Sequence, residues 1–564
     1  MGRRARVEYT ADFETTTDPD DCRVWAWGVA VVGQPDTFVY GTDIDTFLAY
    51  MDEHPGRYWF HNLRFDGAFV MVRLLETGYA HTCERPRGRQ FSALIDGLGK
   101  VYRIQIGASI TLADSLKKIT MSVADVASTY HLPYGKGDID YDAPRPVGHE
   151  LTAEELDYLR RDVCIMALAM AERLSVGTRL TTSSDTLAAY KDLIGEAWDG
   201  LFPVLNGKLD ALLRGAYRGG WVYVAPEHRG REVGEGVRLD VNSLYPWALA
   251  SCPLPVGMPR YFRGAPPAGE LWVARAVITA RLRPDGVPCI PVREAALYGS
   301  AEYGELTEPT EMDFCSVDFE LWREMYEIDV ETWEYGFSFD SADGLFTDYI
   351  NHYMEIKARS TGGERFQAKL FLNSLYGKFG QKIDVSGKVP VLDDERVLHY
   401  VAAPKRDRDP VYLPVAIFTC AHARGKTIRA ARLFGHRFCY ADTDSIHALG
   451  RDVPEGIEVH PSKLGAFKCE AYFERARFVR PKTYVEIEEG GHADYKCAGM
   501  SDGLKSIMRF EDFKEGFKTP ECDVSRETCS HDCAHCYANK ALWGLRPRNV
   551  PGGVVLVPSP FSIK

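Results

Sequence analysis

The stretch Tyr440-Ala441-Asp442-Thr443-Asp444-Ser445-Ile446-His447 constrains this chain more than any other. It sets two carboxylates two residues apart, behind the strand-like run Arg437-Phe438-Cys439-Tyr440 and ahead of a second apolar position at Ile446. Residues i and i+2 of a strand share a face, and a tight turn would bring Asp442 and Asp444 equally close. Like charges that near one another call for a cation. Hard carboxylate oxygens favour Mg²⁺, or Mn²⁺, and such an ion keeps positions open for phosphate oxygens, which suggests phosphoryl or nucleotidyl transfer. Asp, Thr and Ser are also ordinary turn formers, so an acidic hairpin tip accounts for the same residues.

A chain of 564 residues is too long for one core and implies several domains. With 45% hydrophobic and 12% aromatic residues it can fill them. A formal charge of −13 excludes a uniformly basic nucleic-acid coat, yet it leaves room for basic groups lining one channel. Its 14 cysteines are mostly scattered singly, as expected of reduced thiols in the cytoplasm. No secretory signal and no membrane-spanning run are read, so the expectation is a soluble protein without a membrane partner.

Towards the amino terminus, residues 7–15 read as a strand with Asp12 and Glu14 on one face. A second strand at residues 58–61 runs into Asn62-Leu63-Arg64-Phe65-Asp66. Thr152-Ala-Glu-Glu155 forms a capping box that opens a helix to about residue 174, on which Tyr158 and Asp162 share a face. Singly these are a solvated strand end, turn residues and a surface pair. Jointly, Asp12, Glu14, Asp66 and Asp162 can hold two divalent ions about a scissile phosphate, with Tyr158 orienting water and Lys136 offsetting negative charge.

In these motifs, Asp12-Phe-Glu14, Asn62-x-x-Phe65-Asp66 and Tyr158-x-x-x-Asp162, the chain resembles the 3′→5′ proofreading exonuclease of family B DNA polymerases. The resemblance implies that Asn62 and Phe65 bind a single-stranded 3′ end, with Thr15 among the DNA contacts. Phe65 can also stack on an unpaired base by its chemistry alone.

The middle of the chain carries the synthetic motifs. Tyr217-Arg218-Gly219-Gly220 permits close backbone approach to a phosphate, although by spacing alone it is a Gly-Gly turn. In protein-primed members of the family the matching motif contacts template DNA. Asp240, in Arg238-Leu239-Asp240-Val241-Asn242-Ser243-Leu244-Tyr245-Pro246, supplies a third acid to Asp442 and Asp444. The resemblance makes Asp240 a ligand of both metals, sets Val241 in the metal set, and has Tyr245 pack beneath the sugar where a ribose 2′-hydroxyl would clash. Arg365, Lys369, Asn373 and Tyr376 form one stripe along a helix at residues 364–379. A solvated face is the ordinary reading of such a stripe. The family's fingers motif makes it the grip on an incoming deoxynucleoside triphosphate, with Tyr376 on the nascent base pair and Lys357 a further contact. By the same resemblance Lys482 and Tyr484 hold the primer, and Arg424 contacts primer or template.

Across nearly its whole length the sequence is similar to the protein-primed family B DNA polymerases of phi29-type phages. The implied architecture is α+β: an RNase H-like exonuclease domain at 1–182, followed by palm, fingers and thumb. Palm falls at 183–253 and 413–497, fingers at 344–381, thumb at 498–564. Insertions at 254–343 and 382–412 would dock the priming terminal protein and encircle DNA for processivity and strand displacement. The implied protein is a monomer or a heterodimer with terminal protein, acting on primer-template DNA in the host cytoplasm. Two other readings stay open: a mobile-element or plasmid polymerase extending ordinary primers, and a non-catalytic DNA-binding protein. One stretch departs from the family. The thumb hairpin is expected to have arms at 513–518 and 550–557, with a tip at 519–549 bearing Cys522, Cys529, Cys533, Cys536 and two histidines, a donor set that suits Zn²⁺.

Overall fold

The computed structural model describes residues 6–141, 143–294, 301–408, 410–519 and 544–564. The apolar runs of the amino-terminal part assemble a mixed sheet. Glu8–Thr15 lies antiparallel to Val24–Val31 and parallel to Arg57–Phe60, which is parallel in turn to Ile110–Asp114. Parallel neighbours need crossovers, and the helix Ile44–Glu53 provides one of them. The long helix Ala153–Val176 starts at the predicted capping box: Glu155 N–H donates to Thr152 Oγ1 at 3.2 Å, and Thr152 N–H to Glu155 Oε2 at 3.0 Å. Gly28, paired with Asp12, lets that helix come close. A Cβ there would stand 3.0 Å from Leu159 and 3.1 Å from Val163.

A second, antiparallel sheet forms the centre. From edge to edge it runs Ala493–Cys497, Thr483–Glu488, Phe467–Arg480, Gly236–Val241, Ser445–Leu449, Phe438–Asp442 and Val222–Val224. The helices Leu244–Ser251, Thr347–Arg359, Gly362–Phe379 and Leu413–Phe434 gather near it. The last three pack about Phe346, Tyr349, Phe371, Leu375, Ala416 and Phe418.

The stretch 254–343 is an antiparallel sheet ordered Leu254–Arg263, Tyr326–Ala342, Leu271–Leu282, Leu306–Cys315, with the helix Ser316–Met325 before its longest strand. Within 382–412, the hairpin Gly387–Leu392/Leu398–Ala402 joins the amino-terminal sheet, Gly387 pairing with Asp96 and Lys388 with Ile95. Leu398 enters the amino-terminal core beside Val550, Val554 and Val555 of the carboxyl-terminal hairpin.

That hairpin corrects the first of the expected arms and shifts the second by a few residues. Its strands are Gly544–Val550 and Gly553–Ser559, whereas 513–518 forms no strand and meets the chain end through the Lys518–Ser562 bridge and backbone hydrogen bonds of Gly516 and Phe517 with Ile563. The reason is local: Pro551-Gly552 makes a two-residue turn, with Gly552 at φ 87°, where a side chain would be strained. The cysteine-rich tip with Cys522, Cys529, Cys533 and Cys536 lies outside the described residues. Among the described residues no helix is long and apolar enough to cross a membrane.

Candidate active sites

The first acidic site is built by three elements. Asp12 and Glu14 project from the strand Glu8–Thr15, Asp66 from the first turn of Leu63–Glu76, and Asp162 with Tyr158 from Ala153–Val176. Glu14, Asp66 and Asp162 are 6%, 4% and 5% exposed. Burial, reinforced by Asp162, pushes the Asp12 carboxyl up to about 7. Burial and neighbouring carboxylates hold Glu14 and Asp66 well above the ordinary range. Asp162 Oδ1 is buried without a hydrogen-bond partner. Four crowded carboxyls and an orphaned oxygen fit a divalent cation. Lys136 Nζ stands 3.6 Å from Asp162 Oδ2, and the Tyr158 and Tyr141 hydroxyls are 2.7 Å apart. Among the described residues no three His, Cys, Asp or Glu side chains are drawn into a finished metal cage, so an ion would have to pull these donors together.

Beside this site Asn62 adopts a left-handed backbone, φ 76°, at the start of its helix. The buried Asp114 carboxylate holds it there, accepting from Asn62 N–H at 3.1 Å and Leu63 N–H at 3.4 Å. The Asn62 side chain is thereby left exposed and outside the cap. Phe65 is half-buried with its ring 5.7 Å from Phe69, and Thr15 is half-buried at the strand end. No motif in the sequence points to Asp114, because the two N–H groups it accepts here lie 52 and 51 residues before it.

The second acidic site sits on three adjacent strands. Asp240 and Asp442 both pair with Ser445, one from each side. Thr443, at φ 62°, turns the chain between the carboxylates, and Asp444 N–H closes the turn on the Asp442 carbonyl at 2.7 Å. A β-branched residue there is strained, so the surroundings must hold it. Thr443 N–H donates to the Trp221 carbonyl at 2.8 Å, Thr427 Oγ1 to the Thr443 carbonyl at 2.9 Å, and Val241 N–H to the Asp444 carbonyl at 2.9 Å. Gly220 fits against the turn only because it has no side chain: a Cβ would lie 2.7 Å from Thr443.

Burial, then the charge of Asp444, pushes Asp240 up to about 7, and burial with Asp442 and Glu470 raises Asp444. Lys482 Nζ sits 2.6 Å from Asp442 Oδ1. A cation therefore already rests on this carboxylate, the donor set suits a divalent one, and the lysine read as a primer contact starts from the acid itself.

A cationic cluster gathers at Ser243, three residues beyond Asp240. Lys357 Nζ donates to Ser243 Oγ at 3.3 Å, Arg365 donates to the Lys357 carbonyl, and the charges of Arg365 and Lys369, after burial, lower Lys357. Ser243, at φ 55°, begins the helix Leu244–Ser251 without a side-chain cap, leaving backbone N–H groups free for an anion. Tyr245 and Tyr376 stack with ring centroids 3.9 Å apart, while Arg365, Lys369 and Asn373 are exposed.

Three expected DNA contacts sit deeper than the sequence suggests. Arg424 is 5% exposed. Its guanidinium grips Asp318 at 2.7 and 2.8 Å and donates to the Arg218 and Gly219 carbonyls at 2.6 and 2.8 Å. It thus fixes the Tyr217-Arg218-Gly219-Gly220 segment from within and has no free face for a nucleic acid. Arg218 turns inward to the Asp313 carbonyl at 2.6 Å. Tyr484 is 7% exposed and packs 5.0 Å from both Tyr440 and His447. In each case a polar residue of a short motif supports the site from beneath. Gly219 stays exposed and Tyr217 half-buried.

Residues 143–460 match the family model described as DNA polymerase type B, organellar and viral. The DNA polymerase of Bacillus phage Nf is 36% identical, the match covering 99% of this chain and all of the relative. That of Bacillus phage phi29 is also 36% identical, with both chains covered completely. The solved phi29 DNA polymerase complexed with primer-template DNA and incoming nucleotide substrates superimposes with a TM-score of 0.91 at 35% identity, over 99% of this chain and all of the other. The chain is a family B DNA polymerase of the phi29 phage type, with an exonuclease domain followed by palm, fingers and thumb.

Proposed function

We propose that this DNA polymerase copies a linear genome by protein-primed, strand-displacing synthesis in the host cytoplasm and removes misincorporated nucleotides with a separate 3′→5′ exonuclease site. One observation carries the reading: there are two separate carboxylate sets, one on the amino-terminal strand and its two neighbouring helices and one on the central sheet, each with its own lysine, Lys136 beside Asp162 and Lys482 beside Asp442. When bound, divalent cations at Asp240, Asp442 and Asp444, with Val241 alongside, and at Asp12, Glu14, Asp66 and Asp162, supply charge neutralisation and a Lewis acid.

The chain's own groups do the rest. Lys357, Arg365 and Lys369 bind the triphosphate, and the Tyr245–Tyr376 stack shapes the slot for sugar and base. Lys482 releases Asp442 to take a primer phosphate. In the other site Asn62 and Phe65 hold an unpaired 3′ end, the paired tyrosine hydroxyls of Tyr158 and Tyr141 orient water, and Lys136 offsets charge on the phosphate. The sheet at 254–343 docks the terminal protein. The hairpin at 387–402, joined to the amino-terminal sheet and backed by the carboxyl-terminal hairpin, closes around DNA.

A labelled primer annealed upstream of a blocking strand tests the displacement step. Extension through the block without a helicase supports the reading, and arrest at the block overturns it.

A further inference from the structure

The register of the three central strands does more than align the carboxylates. It stacks a second row beneath them: Arg238 and Tyr440 both pair with His447, two residues below Asp240, Asp442 and Ser445. Residues two apart share a face, so the face reads Asp240–Ser445–Asp442 above Arg238–His447–Tyr440. His447 is fully buried. Its Nδ1 lies 2.6 Å from Glu486 Oε1 and its Nε2 lies 3.3 Å from Ser445 Oγ. Glu486 is itself fully buried and receives Arg238 Nη1 at 2.7 Å, while that guanidinium also holds Asp494 at 2.9 Å and Glu488 at 2.7 Å. Tyr440, Phe478 and Tyr484 close the imidazole in, with ring centroids 5.0–5.5 Å away.

We propose that His447 is a positioning residue for nucleotide addition, acting through Ser445. The inference rests on Asp240 and Asp442 being the synthetic carboxylates. A buried carboxylate facing Nδ1 takes its proton as a hydrogen bond and leaves Nε2 as an acceptor. Ser445, standing between the two catalytic strands, then donates its only proton to His447. The alternative acceptor, the Asp442 carbonyl, is farther at 3.4 Å. A serine hydroxyl has one donor and two acceptor lone pairs, so the relay turns the lone pairs, not the proton, towards Asp240 and Asp442. Those carboxylates keep their oxygens for cation and substrate. Without His447 the hydroxyl is free to donate to the carboxylates and compete with what they should bind.

The test uses the full chain with Ser445→Ala, His447→Gln and the double variant, and Asp442→Asn as a control that abolishes extension if the carboxylate assignment holds. Supporting groups of this kind are worth about 10–100-fold in activity. Each single variant should therefore lower kcat for primer extension roughly tenfold, with KM for the deoxynucleotide within about twofold of the parent. The double should be no worse than the worse single, because both changes break one path. Shortening of a labelled single strand, performed on the other sheet, should be unchanged and reports folding. Multiplying losses in the double overturn the proposal, as does a KM effect with kcat preserved. Independently of activity, ¹⁵N spectra should show a neutral Nδ1–H imidazole that disappears in His447→Gln. An Nε2–H signal at that residue contradicts the relay even if extension behaves as expected, and extension surviving in Asp442→Asn overturns the underlying assignment instead.

Discussion

Tyr245 and Tyr376 lie face to face, their rings 3.9 Å apart and only 10° from parallel. One comes from the helix that follows Asp240 and the other from the helix that carries Lys369, so the stack joins the acidic strand end to the basic stripe. Replacing Tyr245 with Val should open the space beneath the sugar. The ratio of kcat/KM for deoxy- over ribonucleotides should then fall by about 100-fold, on the order of 3 kcal/mol of discrimination. Single-nucleotide incorporation with matched deoxy- and ribonucleotides measures it.

Gly220 touches the strained turn at Thr443. In Gly220→Ala the new methyl must displace Thr443, and with it Asp442 and Asp444. Synthesis should drop roughly 10–100-fold, as expected for a misplaced catalytic group, while end-shortening is kept. Steady-state extension rates beside exonuclease rates on single-stranded DNA give the comparison.

Both oxygens of the buried Asp318 carboxylate accept from Arg424 Nη2, whose Nη1 donates to the Arg218 and Gly219 carbonyls, so the pair ties the helix Ser316–Met325 to the segment before Trp221. Asp318→Asn leaves the guanidinium buried with half its partner and should cost about 3–5 kcal/mol of local stability, read as an earlier unfolding transition. Since Arg424 has no face for DNA, Arg424→Lys should lower the extension rate without changing the salt slope of primer-template binding. Binding isotherms at several salt concentrations separate the two effects.

The carboxyls set the pH response. Asp12 and Asp240, both pushed up to about 7, hold their protons more tightly folded than unfolded, so their contribution to stability is present in acid and is lost as pH rises from about 4 through 7. Without divalent ions the melting temperature should fall over that range. Mg²⁺ should raise it more at pH 8 than at pH 5, because ionised carboxylates bind the cation. The Asp12→Asn, Asp240→Asn double variant should weaken both trends in thermal scans, with the raised carboxyls of Glu14, Asp66 and Asp444 keeping the remainder.

Much of the molecule was legible locally. The capping box at Thr152 opened the helix where expected, and the strand expected at residues 7–15 is Glu8–Thr15. The helix read at residues 364–379 is Gly362–Phe379. The acid-turn-acid motif did form a hairpin. What stayed hidden was non-local or conformational. Strand periodicity gives no hint that Lys388 pairs with Ile95 across almost three hundred residues, nor that Arg424 turns inward to Asp318. The left-handed backbones of Asn62, Ser243, Thr443 and Lys482 fall in four of the motifs, yet none is a glycine and only Asn62 is of a type that favours that conformation. The second thumb arm, expected at 550–557, is largely the strand Gly553–Ser559, but its partner is Gly544–Val550 and not 513–518, although Pro551-Gly552 spelled out the turn.

The most direct test is an end-labelled primer on a longer template with Mg²⁺, with and without deoxynucleotides, using the parent chain, Asp442→Asn and an Asp12→Ala, Asp66→Ala pair. The parent should extend the primer when nucleotides are present and shorten it when they are absent. Asp442→Asn should only shorten, and the double variant should only extend. Extension by Asp442→Asn, or loss of both activities in either variant while it remains folded, would contradict two independent carboxylate sites in one chain.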